Sequence, residues 1–190
     1  MLTLLAKLTF KLTGWQIAGE PVDPASKCVI VVAYHTSNWD TIPCLGSNLI
    51  LGTNAKWVGK HSIFWWPLGP LLRSIGGIAV RRHTSKDFVT QIVEEFDRRE
   101  HFLLAIAPEG TRKRVDRWKT GFYYIALKAK VPLQPAALDY PNRKIIFGPL
   151  FYPSGDYAAD MRRFGEFYRP YEPKNPLWAN KDFHLDVPAR

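Results

Sequence analysis

The run KCVIVVAYH, residues 27–35, is apolar at every position from Cys28 to Tyr34. A strand with one face in water alternates apolar and polar side chains, so an unbroken run calls for a sheet covered on both sides. HFLLAIA at 101–107 makes the same demand. Shorter strand patterns follow in AKWVGK (55–60), GGIAVRR (76–82), VPLQPAALDY (131–140) and RKIIFGPL (143–150). Between them lie helical patterns. DTIPCLGSNLIL (40–51) tolerates Pro43 near its first turn and has Ser37 or Asn38 as N-cap. HTSKDFVTQIVEEFDRRE (83–100) sets Phe88, Ile92, Val93 and Phe96 on one face, with a cap from Thr84 or Ser85. Further helices fit residues 120–130 and 156–168, whereas Pro67, Gly69 and Pro70 prevent one long helix over 62–76. Strands alternating with helices predict an α/β fold, with a mixed, mostly parallel sheet flanked by helices. The 190 residues suit a single domain, residues 1–190, with its motifs in 30–140 and an irregular, Pro-rich tail over 170–190.

The first fifteen residues, MLTLLAKLTFKLTGW, place Leu4 or Leu5, Leu8, Leu12 and Trp15 at helical spacing, with Lys7 and Lys11 between them. The lysines and threonines are too frequent for a spanning helix, and the charge is misplaced for a signal peptide. An amphipathic helix over about residues 1–20 remains, docked on the core or lying in a membrane interface; pattern alone favours docking slightly. Lys and Arg number 26 against 17 for Asp and Glu, a formal charge of +9, which favours an anionic partner of some kind. Cys28 and Cys44 have neither metal-ligand nor disulfide-framework spacing, and the scattered histidines predict no metal site.

Ligands of open α/β sheets gather beyond the carboxyl ends of the strands. His35, the pair Arg81 and Arg82, and Glu109 with Arg112 each follow directly on a predicted strand, so parallel neighbours would bring them to one rim. His35 and Asp40 admit two readings. In one, the histidine bonds backbone and Asp40 supports the first turn of a helix. In the other, the carboxylate fixes the tautomer of a general base. No G-x-S-x-G elbow is present, which leaves the substrate's own hydroxyl as nucleophile. APEGTRKR (107–114) reads as a solvated basic turn or as an anion cradle built on Gly110, Thr111 and Arg112; Glu109 in such a cradle suits an acceptor for a substrate hydroxyl. Arg81 and Arg82 oppose the dipole of the helix they precede, which favours a bound anion, and Lys60 and Lys119 add to the same field.

HTSNWD (35–40), GGIAVRR (76–82), APEGTR (107–112) and VPLQP (131–135), in this order, resemble the phospholipid and glycerol acyltransferase family, which includes the lysophosphatidic acid acyltransferases. The resemblance implies that His35 deprotonates the acceptor hydroxyl with Asp40 as its orienter. It implies that Arg82, Glu109, Gly110, Thr111 and Arg112 bind a glycerol phosphate head group. The acyl donor would be a thioester on coenzyme A or acyl carrier protein, with no bound cofactor and no acyl-enzyme intermediate. The expected reaction acylates a lysophospholipid, 1-acyl-glycerol 3-phosphate first among the candidates, giving phosphatidic acid. Glycerol 3-phosphate or a lyso-aminolipid is the alternative acceptor, and a non-catalytic basic membrane-binding domain the alternative role. The chain departs from the family pattern at Arg81, His83, Ala107 and Tyr34, which bears on the acceptor. Lys60 or a backbone amide of the His35 turn would stabilise the oxyanion. IFWWPLGPLL (63–72) would line an acyl channel, dip into a bilayer or pack in the core. The resemblance makes the helix over residues 1–20 a membrane-interface anchor, and the expected location is cytoplasmic, peripheral on the inner face of the plasma membrane, on anionic lipid, without a nucleic-acid partner.

Overall fold

The computed structural model of the chain describes residues 1–80 and 85–181. Arg81, Arg82, His83 and Thr84 therefore lie outside the described residues, as does the end of the expected tail. The elements run α1 (Leu2–Thr13), β1 (Gln16–Gly19), β2 (Lys27–Ala33), α2 (Thr41–Leu51), β3 (Lys56–Lys60), α3 (Leu68–Ser74), β4 (Gly77–Val80), α4 (Ser85–Arg98), β5 (Phe102–Ile106), α5 (Gly121–Ala129), β6 (Leu133–Asp139), β7 (Lys144–Phe147) and α6 (Tyr157–Tyr168). Among the described residues the strands form one seven-stranded sheet in the order β1-β7-β6-β2-β5-β3-β4. Every neighbouring pair is parallel except β6 with β7, which the Tyr140–Arg143 turn joins as a hairpin. The mixed, mostly parallel α/β architecture expected from the pattern is thus the one observed.

The unbroken apolar runs are at the centre of the sheet, as two-sided burial requires. Val29, Val31 and Ala33 of β2 face a core shared with α4, α5 and α6 (Ile92, Phe96, Phe122, Ile125, Phe164). Cys28 and Ile30 face the other way, into a second core with Leu103, Ala136, Leu138 and Ile145, against which Cys44 and Leu51 of α2 pack. Helices α1, α2 and α3 lie on this second side. Burial on the α4–α6 side is dense with aromatic rings, among them Tyr34, Trp118, Phe164 and Tyr168, whose hydroxyl donates to the Val31 carbonyl oxygen at 2.6 Å.

Helix α1 docks differently from its leucine pattern. Ala6 and Phe10, one turn apart, are its buried residues, and Phe10 packs against Gly46 of α2, where a Cβ would come within 2.4 Å of the ring. The leucine stripe faces out: Leu4 is 72% exposed and Leu12 77%, with Leu2, Leu5 and Leu8 also exposed. Trp65, Trp66, Leu68 and Leu71 around the start of α3 are exposed as well.

Two elements have no clear signature in the sequence. Strand β1 has four residues and pairs only with β7 at the sheet edge, too short to show an alternation. Helix α3 begins directly after Pro67 and carries Pro70 in its first turn, where a missing N–H costs no intrahelical bond.

Candidate active site

Strand β2 ends at Ala33 and delivers His35 to the carboxyl rim of the sheet. The chain then turns through Ser37, whose side chain caps a 3₁₀ turn (Asn38–Asp40) that runs into α2. Ser37 and Asp40 form a reciprocal capping box, so Asp40 begins the helix as the structural reading of the sequence required. The same carboxylate takes the histidine. Asp40 is fully buried, and its Oδ2 lies 3.0 Å from His35 Nδ1 while accepting the backbone N–H groups of Thr36 and Ser37 at 2.9 Å each. Its Oδ1 accepts the phenol hydroxyl of Tyr140 at 2.6 Å. An ionised carboxylate only accepts, so His35 carries its hydrogen on Nδ1 and keeps the Nε2 lone pair for a proton from elsewhere. The two readings of the His35–Asp40 pair describe one arrangement.

Glu109 follows β5, the strand beside β2, in a turn closed by the Gly110 N–H on the Ala107 carbonyl oxygen at 3.1 Å. Pro108 and Glu109 occupy the turn's central positions, and Gly110 has φ +64°, in the left-handed region. The Glu109 side chain points inward. It is buried, its Oε1 accepts the backbone N–H of His35 at 3.1 Å, and its Oε2 has no hydrogen-bond partner among the described residues. Burial pushes its carboxyl up to about 7, against the pull of the His35 and Glu109 backbone N–H groups and of the His35 ring.

In front of this arrangement lies a cavity of about 650 Å³. His35, Asp40, Gly110, Thr111, Arg112 and Lys60 line its polar end. Ile30, Val32, Ala136, Ile145 and Phe147 from the sheet, with Ile63, Leu72 and Ile75 from the α3 region, form apolar wall, and Ser47, Asn48 and Thr53 also line the cavity. Lys60 is there because β3 is parallel to β5 and ends on the same rim. Cys44 of α2 also lines the cavity, but burial and the Asp40 carboxylate hold its thiol up at about 12, protonated and a poor nucleophile at neutral pH.

Of the residues expected at the site, the structure brings together His35, Asp40, Lys60, Gly110, Thr111 and Arg112 around one space. Glu109 stands behind His35 rather than among the lining residues, and Arg82 lies outside the described residues. Lys119 is placed over Gly110, where a Cβ would meet its Nζ at 2.8 Å. Of the exposed aromatic stretch at 63–72, Ile63 and Leu72 reach the cavity and Trp65 and Trp66 do not. Sequence reasoning missed Tyr140 and Asn175. Tyr140 directly follows β6, the strand next to and parallel with β2, and so reaches the same rim as His35 and Glu109. Asn175, in the tail, donates from Nδ2 to the Thr36 carbonyl oxygen at 2.8 Å and from its backbone N–H to Thr36 Oγ1 at 3.2 Å; no local pattern announces it.

A mixed, mostly parallel α/β sheet with a carboxylate-held imidazole at its rim, beside a cavity lined by apolar and basic side chains, defines the class to which the chain conforms. The chain belongs to the Acyltransferase family, whose model matches residues 16–139. Among the proteins it is similar to, the 1-acyl-sn-glycerol-3-phosphate acyltransferase of Escherichia coli (strain K12) is 29% identical over 123 residues, 61% of this chain and 49% of that protein. The protein of the same name from Salmonella typhimurium is 28% identical over the same shares. The chain therefore spans about half the length of the curated relatives it matches. The crystal structure of the 1-acyl-sn-glycerophosphate (LPA) acyltransferase PlsC from Thermotoga maritima shares the fold, with a TM-score of 0.58 over 88% of this chain and 75% of that one, at 16% identity.

Proposed function

We propose that the chain transfers a fatty acyl group from a thioester to the free hydroxyl of a lysophospholipid, 1-acyl-glycerol 3-phosphate in the first instance, yielding phosphatidic acid. The observation that carries this reading is the His35–Asp40 pair on the lining of a cavity whose walls are largely apolar. His35 Nε2 takes the proton of the acceptor hydroxyl as its oxygen attacks the thioester carbonyl carbon. The imidazolium that forms is stabilised by Asp40 across 3.0 Å. When the tetrahedral intermediate collapses, the C–S bond breaks and the departing thiolate takes the proton back from the imidazolium. No enzyme acyl intermediate is needed, in keeping with a protonated Cys44. Lys60 or a backbone N–H of the 35–37 turn would face the developing oxyanion. Gly110, Thr111 and Arg112, with Lys60 and Arg82, would take the phosphate of the acceptor, Arg as a bidentate partner. Glu109 would contribute by holding the His35 backbone. Acyl-CoA or acyl carrier protein would be the donor, acting as co-substrate, and the acyl chain would lie along the apolar wall.

The acceptor lies in a membrane, and the exposed leucines of α1 with Trp65, Trp66 and Leu71 would seat the chain in the lipid interface. No helix among the described residues is long and apolar enough to cross a membrane. The proposal includes in-plane attachment to the anionic inner face of the plasma membrane, which the exposed leucines of α1 and the +9 charge support. His35→Ala tests the chemistry. With purified thioester and 1-acyl-glycerol 3-phosphate, turnover should fall by about 10²- to 10⁴-fold with the fold intact. A variant that kept most of its rate would refute the mechanism. Competition among 1-acyl-glycerol 3-phosphate, glycerol 3-phosphate and lyso-aminolipids for a labelled acyl donor identifies the acceptor.

A further inference from the structure

Asp40 is held from two directions. Its Oδ2 bonds the backbone of Thr36 and Ser37, which belongs to the same turn as His35 and moves with it. Its Oδ1 bonds Tyr140, a hundred residues away at the end of β6 and so fixed to the sheet. Tyr140 is in turn packed by Trp15, which stands edge-on to it with ring centres 5.1 Å apart and planes at 90°. Trp15 is two residues past α1 and is held in place by the turn that Tyr140 starts. Gln16 donates its N–H to the Arg143 carbonyl oxygen at 2.9 Å, and Arg143 Nη1 donates to the Thr13 carbonyl oxygen at 2.9 Å. The end of α1 and the Tyr140–Arg143 turn thus form one clamped unit whose inward side chain ends on Asp40.

We propose that Tyr140 is a positioning residue of the acyl-transfer site, setting the orientation and charge of Asp40, and that Trp15 at the end of α1 acts on Asp40 through it. This rests on the reading of His35 as general base. Burial and the Asp40 carboxylate drive the Tyr140 phenol well above its ordinary range, so it remains a donor throughout neutral pH. A donor on Oδ1 draws charge away from Oδ2, and that limits how strongly Asp40 favours a protonated His35. Loss of the donor leaves more charge facing the imidazole and raises its proton affinity. Among the described residues, the other titratable and charged groups around this pair are Cys44 from α2, Glu109 behind His35, Lys60 and Arg112 on the cavity lining, and Lys174 from the segment after α6, whose Nζ lies 5.7 Å from the Tyr140 ring centre. None of them replaces a hydrogen bond to Oδ1.

The test uses the full chain with Tyr140→Phe, Trp15→Leu and the double variant. The His35 imidazole is titrated by NMR in parallel with steady-state acyl transfer at a series of pH values. Tyr140→Phe should raise the His35 titration midpoint, move the acid limb of kcat/KM upward with it, and lower kcat about tenfold, the size of one charge-assisted hydrogen bond, with KM unchanged. Trp15→Leu should move all three in the same direction by less, and should add nothing in the Tyr140→Phe background. A fluorotyrosine at position 140, a more acidic donor on an intact ring, should move the midpoint the other way, which also covers poor folding of the Phe variant. An unmoved His35 midpoint in Tyr140→Phe overturns the proposal, and so do Trp15 and Tyr140 effects that multiply. The NMR titration needs no substrate, so a shifted midpoint without detectable acyl transfer would sink the acyltransferase reading while sustaining the tie from Tyr140 to Asp40.

Discussion

Replacing Glu109 by Gln keeps an oxygen to accept the His35 N–H and removes the carboxyl's ability to ionise. In the native chain burial lifts this carboxyl from 4.5 to about 7, a difference of about 2.5 pK units, or ~3 kcal/mol at about 1.4 kcal/mol per unit. The folded state holds a proton that the unfolded state has already released between these two values. Stability is therefore fully present below 4.5, declines as pH rises, and has lost ~3 kcal/mol once pH passes about 7. The Glu109→Gln variant would be free of that loss. Its new amide N–H₂ takes the place of Oε2, which has no hydrogen-bond partner among the described residues, and an unmet buried donor costs about 1–3 kcal/mol at every pH. Urea unfolding across acid to mildly alkaline pH should then show two curves that cross, wild type more stable in acid and Glu109→Gln level with it or above it past neutrality. The slope contributed by one proton, up to ~1.4 kcal/mol per pH unit, should be absent from the variant. Parallel curves for the two proteins would refute the inward, ionisation-opposing placement of Glu109.

Three further outcomes are expected. Leu4, Leu8 and Leu12 all changed to Gln should leave urea stability within about 0.5 kcal/mol per site while weakening co-sedimentation with anionic vesicles; unchanged partitioning would place membrane contact elsewhere. Gly110→Ala should lower stability by about 1–2 kcal/mol in the same unfolding assay, because φ +64° is strained for any side chain with a Cβ and Lys119 must move aside. Asn175→Ala removes the 2.8 Å bond to the Thr36 carbonyl oxygen, and should speed amide exchange in the 35–40 turn and cost about 1 kcal/mol; unchanged exchange there would mean that the tail does not brace the turn.

How much can be read from the residues depends on the range of the forces involved. Strands β2 and β5 are legible because two-sided burial leaves an unbroken apolar run, and α4 because its apolar face repeats at the helical period. The His35–Asp40 pair is legible because a five-residue separation in a strand-to-helix turn allows few geometries. Strand order has no local signature, so the insertion of β3 between β5 and β4, which brings Lys60 to the rim, emerges only from the fold. The leucine stripe of α1 resembles a docking face because pattern records apolarity and not which face finds a partner. The small Ala6 and the ring of Phe10 fit α2 instead. Glu109 reads as facing a ligand because charged residues after a strand are usually wet. It is buried close to Tyr34 and Tyr168, both far from it in the sequence, and nothing near residue 109 betrays them.

Asn175 and Tyr140 also impose an order of events on the chain as it is made. Helix α1 and the 35–40 turn leave the ribosome long before residue 140, and longer still before residue 175, whose contacts with Thr36 close a loop of 139 residues. Contacts of such separation form late in folding, after the local helices and the first parallel pairings. Helix α1, with its leucines outward, is therefore available to lipid while the histidine that would act on lipid still lacks its braces. If α1 attaches to lipid as proposed, a nascent or C-terminally clipped chain would do so without a finished site, and its attachment would precede its competence.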